Sequence, residues 1–373
     1  MSMIWRKRTA SFFTPSVKPT VGSSPLSLVR VDYPQTLSRV LVTGSRSYEQ
    51  VHVVAWDCLS AAGDAAATWS ACTIGRCTLQ HNPAIGWHGR VNTPASGDRH
   101  LDLARIASER VWAAIAKNSG NLAFGASTSK GDLAAWDAAL AGNPAAFIRA
   151  WPGQLTPRLA AALGLPMYRP ISVAAACSTG LYALLDAADT IENGHCSKAL
   201  VGAVDTSLSP WLLAGFKAMG VLCGDTQPQS FASPTGFAPA EGAAFFALGH
   251  NGPWRLVGGV RLGDAGHETE FRDPQTLRQA FASLWRMLPG PDLIITHGTG
   301  TALGDAYETA GLLQGPWNKS MRLACKPSIG HCLGASAAVE LAAGLQAPVR
   351  RLWKIGLGFG GHLAGVALER TSY

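Results

Sequence analysis

From about residue 51 onward, short apolar runs alternate along the chain with longer segments in which apolar residues recur at helical spacing. The apolar runs predict strands over residues 51–56, 121–127, 171–176, 199–204, 293–296, 321–325, 352–358 and 364–369. The helical spacing predicts helices over residues 101–116, 179–192, 305–313 and 333–345. Strands that alternate with helices in this way indicate a layered α/β protein, and the shared rhythm of the two parts suggests a duplication.

Residues 1–50 differ from the rest of the chain. Ser, Thr and Pro are common there, the apolar spacing is irregular, and five basic residues precede the first acid, Asp32. Such a composition resembles an organelle transit peptide, although a loosely ordered tail explains it more simply. We therefore expect an irregular basic N-terminal extension over residues 1–50.

The composition is that of a folded chain with a large core. Of the 373 residues, 47% are hydrophobic, only 15% are charged, and 41 are glycine. No stretch approaches the roughly 18 uninterrupted apolar residues of a membrane span. Lys and Arg exceed Asp and Glu by 31 to 24, and this net charge of +7 favours acidic partners. The charge alone does not distinguish nucleic acid, CoA phosphates and an acidic carrier protein.

The cysteines are scattered along the chain and form no CxxC pair; they are Cys58, Cys72, Cys77, Cys177, Cys196, Cys223, Cys325 and Cys332. This spacing fits neither a zinc site nor a disulfide scaffold. The pattern predicts free thiols in a reducing compartment, and hence a cytoplasmic protein without a metal.

The sequence AAACSTG at residues 174–180 places Cys177 between a predicted strand and a predicted helix. A turn at this point exposes the thiol to the free N–H groups and the positive potential of the helix N-terminus. Such a position is expected to lower the thiol pKa and to stabilise an oxyanion. The alternative is a small buried cysteine in an Ala-rich core.

Two histidines follow strands in the C-terminal part. His297 opens HGTGTALGDAYE, in which Asp305 and Glu308 lie one helical turn apart. His331 lies in KPSIGHCLGASAAVE, five residues after Lys326, which is expected to approach it around the loop. The alternatives are a phosphate-binding loop, which lacks the usual glycine and lysine spacing, and a solvated lysine beside a helix.

A Gly-rich turn, GLGFGGHLAG, occupies residues 356–365 and carries Phe359, whose N–H is free to face a pocket. Its alternative is a hairpin with an aromatic plug between core strands. Each of these four motifs is modest by itself, but their joint occurrence in this order is specific.

Together the motifs resemble the β-ketoacyl-acyl-carrier-protein synthases of the thiolase superfamily, of the elongating Cys-His-His type. The matching segments are ACSTG, HGTGTxxGDxxE, KxxxGHxxGA, GFGG and the acidic loop GFAPAEGAA with Glu241. The resemblance implies a five-layer α/β/α/β/α fold of two pseudo-symmetric halves, over residues 51–250 and 251–373. The second half is shortened between His331 and Gly358.

The resemblance also implies a role for each motif residue. Cys177 would be acylated, and His297 and His331 would stabilise the enolate formed when malonyl-acyl carrier protein loses CO2. Lys326 would orient His331, and the amides of Cys177 and Phe359 would form an oxyanion hole. The supporting residues implied around these groups are Glu241, Asp305 and Glu308.

The implied activity is decarboxylative condensation in fatty acid or polyketide-type biosynthesis, with no cofactor beyond the phosphopantetheine of the carrier. The implied partners are an acyl carrier protein and a second subunit, which is either an identical chain or a related synthase. A basic surface patch would bind the carrier protein, and Arg105 and Arg110 are candidates for it. A non-catalytic partner resembling a chain-length factor and a Cys-dependent acyltransferase remain alternatives. Nucleic-acid binding would explain the charge but none of the motifs.

Overall fold

The computed structural model describes residues 43–94, 97–117, 120–165 and 167–371. Most of the expected N-terminal extension, residues 1–42, lies outside the described residues. Residues 43–47, which the sequence placed in that extension, form a strand that pairs antiparallel with a central strand. Its alternation of small and polar residues gave no apolar signal from which a strand could be predicted.

The described residues contain thirteen strands, named in chain order: β1 Thr43–Ser47, β2 His52–Leu59, β3 Gln80–Asn82, β4 Gly86–His88, β5 Leu122–Ser127, β6 Arg169–Ile171, β7 Lys198–Thr206, β8 Glu241–Gly249, β9 Trp254–Gly263, β10 Leu293–Ile295, β11 Met321–Leu323, β12 Arg351–Gly358 and β13 His362–Arg370. The α-helices of the described residues are α1 Ala65–Thr73, α2 Arg99–Trp112, α3 Leu133–Leu140, α4 Ala146–Ala150, α5 Leu155–Ala162, α6 Thr179–Glu192, α7 Pro210–Ala218, α8 Pro274–Met287, α9 Ala302–Leu313, α10 Lys326–Ile329 and α11 Ser336–Gly344. None of these helices is long and apolar enough to cross a membrane.

Two sets of five strands share one topology. The first set has the order β6-β5-β7-β8-β2 and the second the order β11-β10-β12-β13-β9. In each set the first three strands are parallel and the last two pairings are antiparallel. Short pairing between β2 and β9 joins the sets into one continuous sheet. The repeated order confirms the predicted fold of two pseudo-symmetric halves; along the chain, β8 ends the first set and β9 begins the second.

Helices form three layers around these strands. Helices α6 and α11 lie between the two strand sets and contact both of them. The outer face of the first set is covered by α2 and α5, and that of the second by α8, on which α9 packs. The five-layer α/β/α/β/α arrangement predicted from the sequence is therefore confirmed.

Small residues allow the central helices to approach each other. Every residue of α11 is buried, and six of its nine residues are Ala, Gly or Ser. A Cβ atom added at Gly180 of α6 would lie 2.6 Å from the Cβ of Ala338, which is closer than real Cβ atoms approach. This contact holds the N-termini of α6 and α11 side by side, and those termini carry Cys177 and His331.

The predicted strand at residues 171–176 is wrong over most of its length. Strand β6 ends at Ile171, and the chain then bends towards α6. Ala176 has a φ of 45°, a left-handed conformation that residues with a Cβ rarely adopt. The run is apolar in composition, but its backbone leaves the sheet after Ile171, and Ser172 and Ala174 are exposed while Ala175 is buried.

Candidate active site

One cavity of about 510 Å³ opens at the carboxyl ends of β5, β10 and β12 and at the N-termini of α6 and α11. Ligands of α/β proteins commonly bind at this edge of the strands. Four residues singled out in the sequence line the cavity together: Cys177, His297, His331 and Phe359. Groups separated by up to 182 positions in the chain are thus brought to one place.

The turn before α6 presents the Cys177 thiol to the cavity. The strained residue Ala176 reverses the chain, Ser178 N–H donates to the Ala175 carbonyl at 3.0 Å, and the Thr179 hydroxyl accepts from Ala175 N–H at 2.9 Å. Backbone strain that the surrounding hydrogen bonds enforce is characteristic of functional sites. These bonds fix the sulfur at the entrance of the helix.

Burial raises the pKa of the Cys177 thiol to about 11, while the charges of Lys130 and Lys326 act in the opposite direction. The lowered pKa expected from the helix N-terminus is therefore wrong. The sequence showed the helix but not the apolar wall around the sulfur, which includes Phe216, Phe237 and Leu333. Desolvation of the thiolate by that wall outweighs the favourable charges.

We expect alkylation of Cys177 by iodoacetamide to accelerate about tenfold per pH unit between about pH 7 and pH 10, because only the thiolate reacts. Alkylation would be followed by intact-protein mass spectrometry of the wild type and of Cys177→Ala. The variant gives the alkylation rate of the other thiols, and the difference from the wild type gives the rate for Cys177. A rate that levels off near neutral pH would contradict the raised pKa.

His297 follows β10 and is held in one tautomer. Leu357 N–H donates to its Nδ1 at 3.4 Å, and Lys326 Nζ lies 3.5 Å from the same atom. Because both neighbours are N–H donors, Nδ1 serves as an acceptor and the neutral ring carries its proton on Nε2. Burial, with the charge of Lys326, holds the pKa of His297 well below its usual range, so the ring stays neutral.

The loop after His297 is held by two buried carboxylates. Glu308 accepts the amides of His297 at 2.6 Å and Gly298 at 2.7 Å. Asp305 accepts the amide of Gly300 at 3.0 Å. Both acids lie on α9 and support the backbone of the cavity wall, while their carboxylates are occupied by these amides.

Lys326 contacts His297 rather than the residue it was expected to orient, His331. Its Nζ donates to the carbonyl of His297 and to Glu340, the latter at 2.7 Å. The second oxygen of Glu340 accepts from Lys354, which also donates to the Thr296 carbonyl at 2.7 Å. All three charged groups are buried, and they form a lysine–glutamate–lysine triad with one net positive charge beneath the histidines.

His331 precedes α11 and lies edge-on to His297, with 5.8 Å between the ring centroids. Its Nδ1 lies 2.7 Å from the Ser336 hydroxyl, and its ring edge packs on Phe237. Burial and the charge of Lys326 hold the pKa of His331 well below its usual range. The cavity therefore contains two neutral imidazoles whose Nδ1 atoms are both engaged by the protein.

Phe359 stands on the turn between β12 and β13, next to the nucleophile turn. A Cβ added at Gly358 would lie 2.7 Å from the Ala175 carbonyl and 3.1 Å from the Cys177 amide. Only glycine allows this approach. The Ser178 hydroxyl donates to the His362 carbonyl at 2.8 Å and ties the two turns together.

Three other residues singled out in the sequence lie outside the cavity wall. Glu241 is buried at the start of β8, where Arg99 binds both of its oxygens at 2.7 and 2.6 Å. Arg105 pairs with Glu109 on the surface of α2, and Arg110 pairs with Asp57. Glu241 thus serves an internal ion pair. Within the described residues, no group of three or more His, Cys, Asp or Glu side chains is placed to hold a metal ion.

Several functional residues were missed in the sequence. Ser336 contacts His331, Glu340 contacts Lys326, Lys354 contacts Glu340, and Lys130 lines the cavity. Glu340 and Ser336 lie within the quoted motif of His331, and their helical spacing could have placed them on one side of α11. No local signal distinguishes Lys130 or Lys354 from a surface lysine.

Comparisons with known proteins agree with this geometry. A family model described as "Beta-ketoacyl synthase, N-terminal domain" matches residues 104–251, and one described as "Beta-ketoacyl synthase, C-terminal domain" matches residues 269–352. Together the two matches cover more than half of the chain.

Named relatives show about 30% sequence identity to this chain, but the aligned region covers very different fractions of their own lengths. Nodulation protein E of Rhizobium meliloti is 31% identical over 283 residues, which cover 68% of this chain and 70% of that protein. The pikromycin polyketide synthase component PikAIII of Streptomyces venezuelae is 30% identical over 217 residues, which cover 52% of this chain but only 14% of that protein.

Solved structures share the fold at low identity. A chain of the AntDE:AntF complex, described as a type II polyketide acyl-carrier protein with its ketosynthase bound to the hexaketide, aligns with a TM-score of 0.79 at 18% identity. The alignment covers 87% of this chain and 100% of that one. A beta-ketoacyl synthase from Burkholderia phymatum aligns with a TM-score of 0.76 at 17% identity, over 88% of this chain and 100% of that one.

Proposed function

The chain belongs to the beta-ketoacyl synthase family and is a carbon–carbon condensing enzyme. From this premise, we propose that it joins an acyl group held on Cys177 to the two-carbon unit of malonyl-acyl carrier protein. The product is a 3-oxoacyl-acyl carrier protein of fatty acid or polyketide-type biosynthesis. The observation that carries this proposal is that one thiol and two neutral imidazoles line a single cavity.

The first step is acyl transfer to the enzyme. The Cys177 sulfur attacks the thioester carbonyl carbon, the carbon–sulfur bond to the carrier breaks, and the carrier thiolate takes up the proton that the cysteine has lost. The amides of Cys177 and Phe359 donate to the carbonyl oxygen as it becomes negative. The close approach of Gly358, the residue before Phe359, to the Cys177 amide supports this role, since Cys177 and Phe359 both line the cavity.

The second step is decarboxylation of the malonyl group. The bond between its carboxylate and its methylene carbon breaks, CO2 leaves, and the electron pair forms an enolate. Its oxygen accepts hydrogen bonds from Nε2–H of His297 and of His331. For His331 this requires that the Ser336 hydroxyl donate to Nδ1. Neutral rings are suited to the step because they donate without losing a proton.

The enolate carbon then attacks the acyl carbon on Cys177. The tetrahedral oxygen is held by the same two amides, and its collapse expels the Cys177 thiolate. The carbon–carbon bond is complete, and the product remains on the carrier. The buried triad of Lys326, Glu340 and Lys354 has a formal charge of +1 and contacts the backbone of His297 through Lys326.

We expect Ser336→Ala to slow decarboxylation of a malonyl thioester by about tenfold or more, since the His331 ring loses the group that fixes its tautomer. Acylation of Cys177 should be unchanged, and Ser336→Thr, which keeps the hydroxyl, should restore most of the rate. Release of CO2 and adduct formation would be measured separately. Equal loss of both would contradict this assignment and indicate general damage to the site.

An acyl carrier protein is the proposed donor of both substrates, through its phosphopantetheine arm and without a further cofactor. Thr269, Thr299 and Thr301 line the cavity, and hydroxyl side chains are suited to the amide groups of such an arm. The net charge of +7 is complementary to an acidic carrier. The AntDE:AntF complex, whose ketosynthase shares this fold, contains an acyl-carrier protein.

A second subunit is the other proposed partner. Strand β6 lies at the edge of the sheet, and large apolar side chains are exposed on the segment that precedes it: Leu140, Phe147, Ile148, Trp151 and Met167. Exposed apolar groups of this size are typical of protein interfaces. A ketosynthase from Xenorhabdus doucetiae with the same fold is in complex with a chain length factor. The second subunit is an identical chain or a related synthase, and sedimentation of the purified chain would distinguish them.

Mass spectrometry of the protein after incubation with an acyl-carrier substrate, followed by malonyl-carrier protein, tests the proposed function. An adduct on Cys177 that moves to a 3-oxoacyl product is the expected result. An adduct without this product would support the alternative acyltransferase, and no adduct would support the non-catalytic partner.

A further inference from the structure

Lys130 is a cation in the wall of the cavity whose role the condensation steps leave open. It follows β5 and lines the cavity together with Cys177, and its side chain is half-buried. Its backbone is fixed, because Trp136 Nε1–H donates to its carbonyl at 3.2 Å. The ammonium group thus extends from a rigid point of the wall.

The acids around Lys130 are engaged by other groups. Asp132 lies 3.3 Å from Arg149 and 3.7 Å from Arg158. Asp205 accepts hydrogen bonds from neutral donors, among them Ser129 Oγ at 2.8 Å and the Gly334 amide at 2.7 Å. Over residues 43–94, 97–117, 120–165 and 167–371, no carboxylate lies within ion-pair distance of the Lys130 ammonium.

The cavity wall that Lys130 shares has one acidic side chain, Glu270, which pairs with Arg272 at 3.0 Å. The wall beside Cys177 is formed by a cluster that includes Leu133, Trp136, Phe216 and Leu333. An ammonium without an anion is costly in such a wall unless a ligand supplies the charge. The charge of Lys130 also lowers the pKa of both Cys177 and His331, so the ammonium lies close enough to influence the thiol and one of the imidazoles.

We propose that Lys130 is a specificity-determining residue that binds a substrate carboxylate inside the cavity. This inference rests on the proposed condensing function and names the chemical class of its substrate. A phosphate is less suited to this position, because the phosphate of a carrier arm lies a full arm length from the reacting thioester. The carboxylate comes either from an acyl chain that ends in a second carboxyl group or from the malonyl unit before decarboxylation.

The first arm of the test measures acylation. Small-molecule thioesters of equal chain length, one ending in a methyl group and one in a carboxylate, are offered to the wild type, and the Cys177 adduct is followed by intact mass spectrometry. If the acyl chain is the source, the wild type prefers the carboxylated thioester by about tenfold or more. Lys130→Met and Lys130→Gln lose the preference, and Lys130→Arg keeps it.

The second arm measures CO2 release from a malonyl thioester. If the malonyl unit is the source, KM rises about tenfold or more in Lys130→Met and Lys130→Gln and stays near the wild-type value in Lys130→Arg. The matched control is Lys217→Met, the same change on exposed Lys217 of α7, outside the cavity wall; it should leave both arms unchanged.

An effect in either arm supports carboxylate binding by Lys130 and identifies its source. The proposal is overturned if neither arm distinguishes the neutral variants from the wild type, or if Lys130→Arg behaves as they do. Two neutral variants are included so that a folding failure of one leaves the other to decide. A wild type that forms no adduct with either thioester would refute the condensing function itself, a result distinct from an adduct formed without preference.

Discussion

Replacing Cys177 by alanine should abolish the acyl-enzyme and lower the rate of condensation by roughly 10⁴-fold or more, because the covalent step loses its nucleophile. Decarboxylation of the malonyl group should persist. It depends on His297 and His331, whose rings are held by Leu357, Lys326 and Ser336 and not by the thiol. This one substitution would thus separate acylation of the enzyme from decarboxylation of the malonyl group.

The two activities are measured on the same preparation, by intact mass spectrometry for the adduct and by CO2 release for decarboxylation. Cys77→Ala is the matched control, because Cys77 is a partly buried free thiol outside the cavity wall. It should keep both activities. An adduct that survives in Cys177→Ala would show that another cysteine is the nucleophile, and loss of decarboxylation would show that the thiol takes part in that step.

Replacing Glu340 by glutamine should lower the free energy of unfolding by roughly 3–5 kcal/mol, the effect of removing one partner from a buried ion pair. Glu340 is the anion between Lys326 and Lys354, and the exposed fractions of the three side chains are between 0% and 2%. Without it, neither ammonium group has a carboxylate within ion-pair distance among the described residues. The change in the free energy of unfolding would be read from urea denaturation followed by tryptophan fluorescence.

The matched control is Glu109→Gln, which removes the acid of the exposed Arg105–Glu109 pair on α2. Exposed pairs of this kind contribute less than about 1 kcal/mol. A double variant, Glu340→Gln with Lys354→Met, should recover part of the lost stability because it removes one of the two uncompensated charges. Equal effects of Glu340→Gln and Glu109→Gln would contradict the buried triad.

The motifs were predictable because each is a local structure. The turn before α6, the glycine loop after β10 and the hairpin after β12 each follow from the order of apolar, small and polar residues within a dozen positions. Helix α6 has the bounds predicted for it, since its apolar spacing and its Asn193-Gly194 end are local signals. Strand β1 was missed because its residues are stabilised by pairing with β9 and not by their own pattern.

The sequence by itself determined the α/β class, helix α6, the turns that carry Cys177, His297 and Phe359, and the family to which the chain belongs; it did not predict the buried strands β8 and β9. Only the tertiary structure decided which groups meet: that Lys326 binds His297, that Glu340 joins two lysines, and that Lys130 lines the same cavity as Cys177. The physical reason is that a turn depends on neighbouring residues, whereas desolvation and ion pairing depend on side chains distant in the chain. The raised pKa of the thiol follows from burial that no local pattern contains.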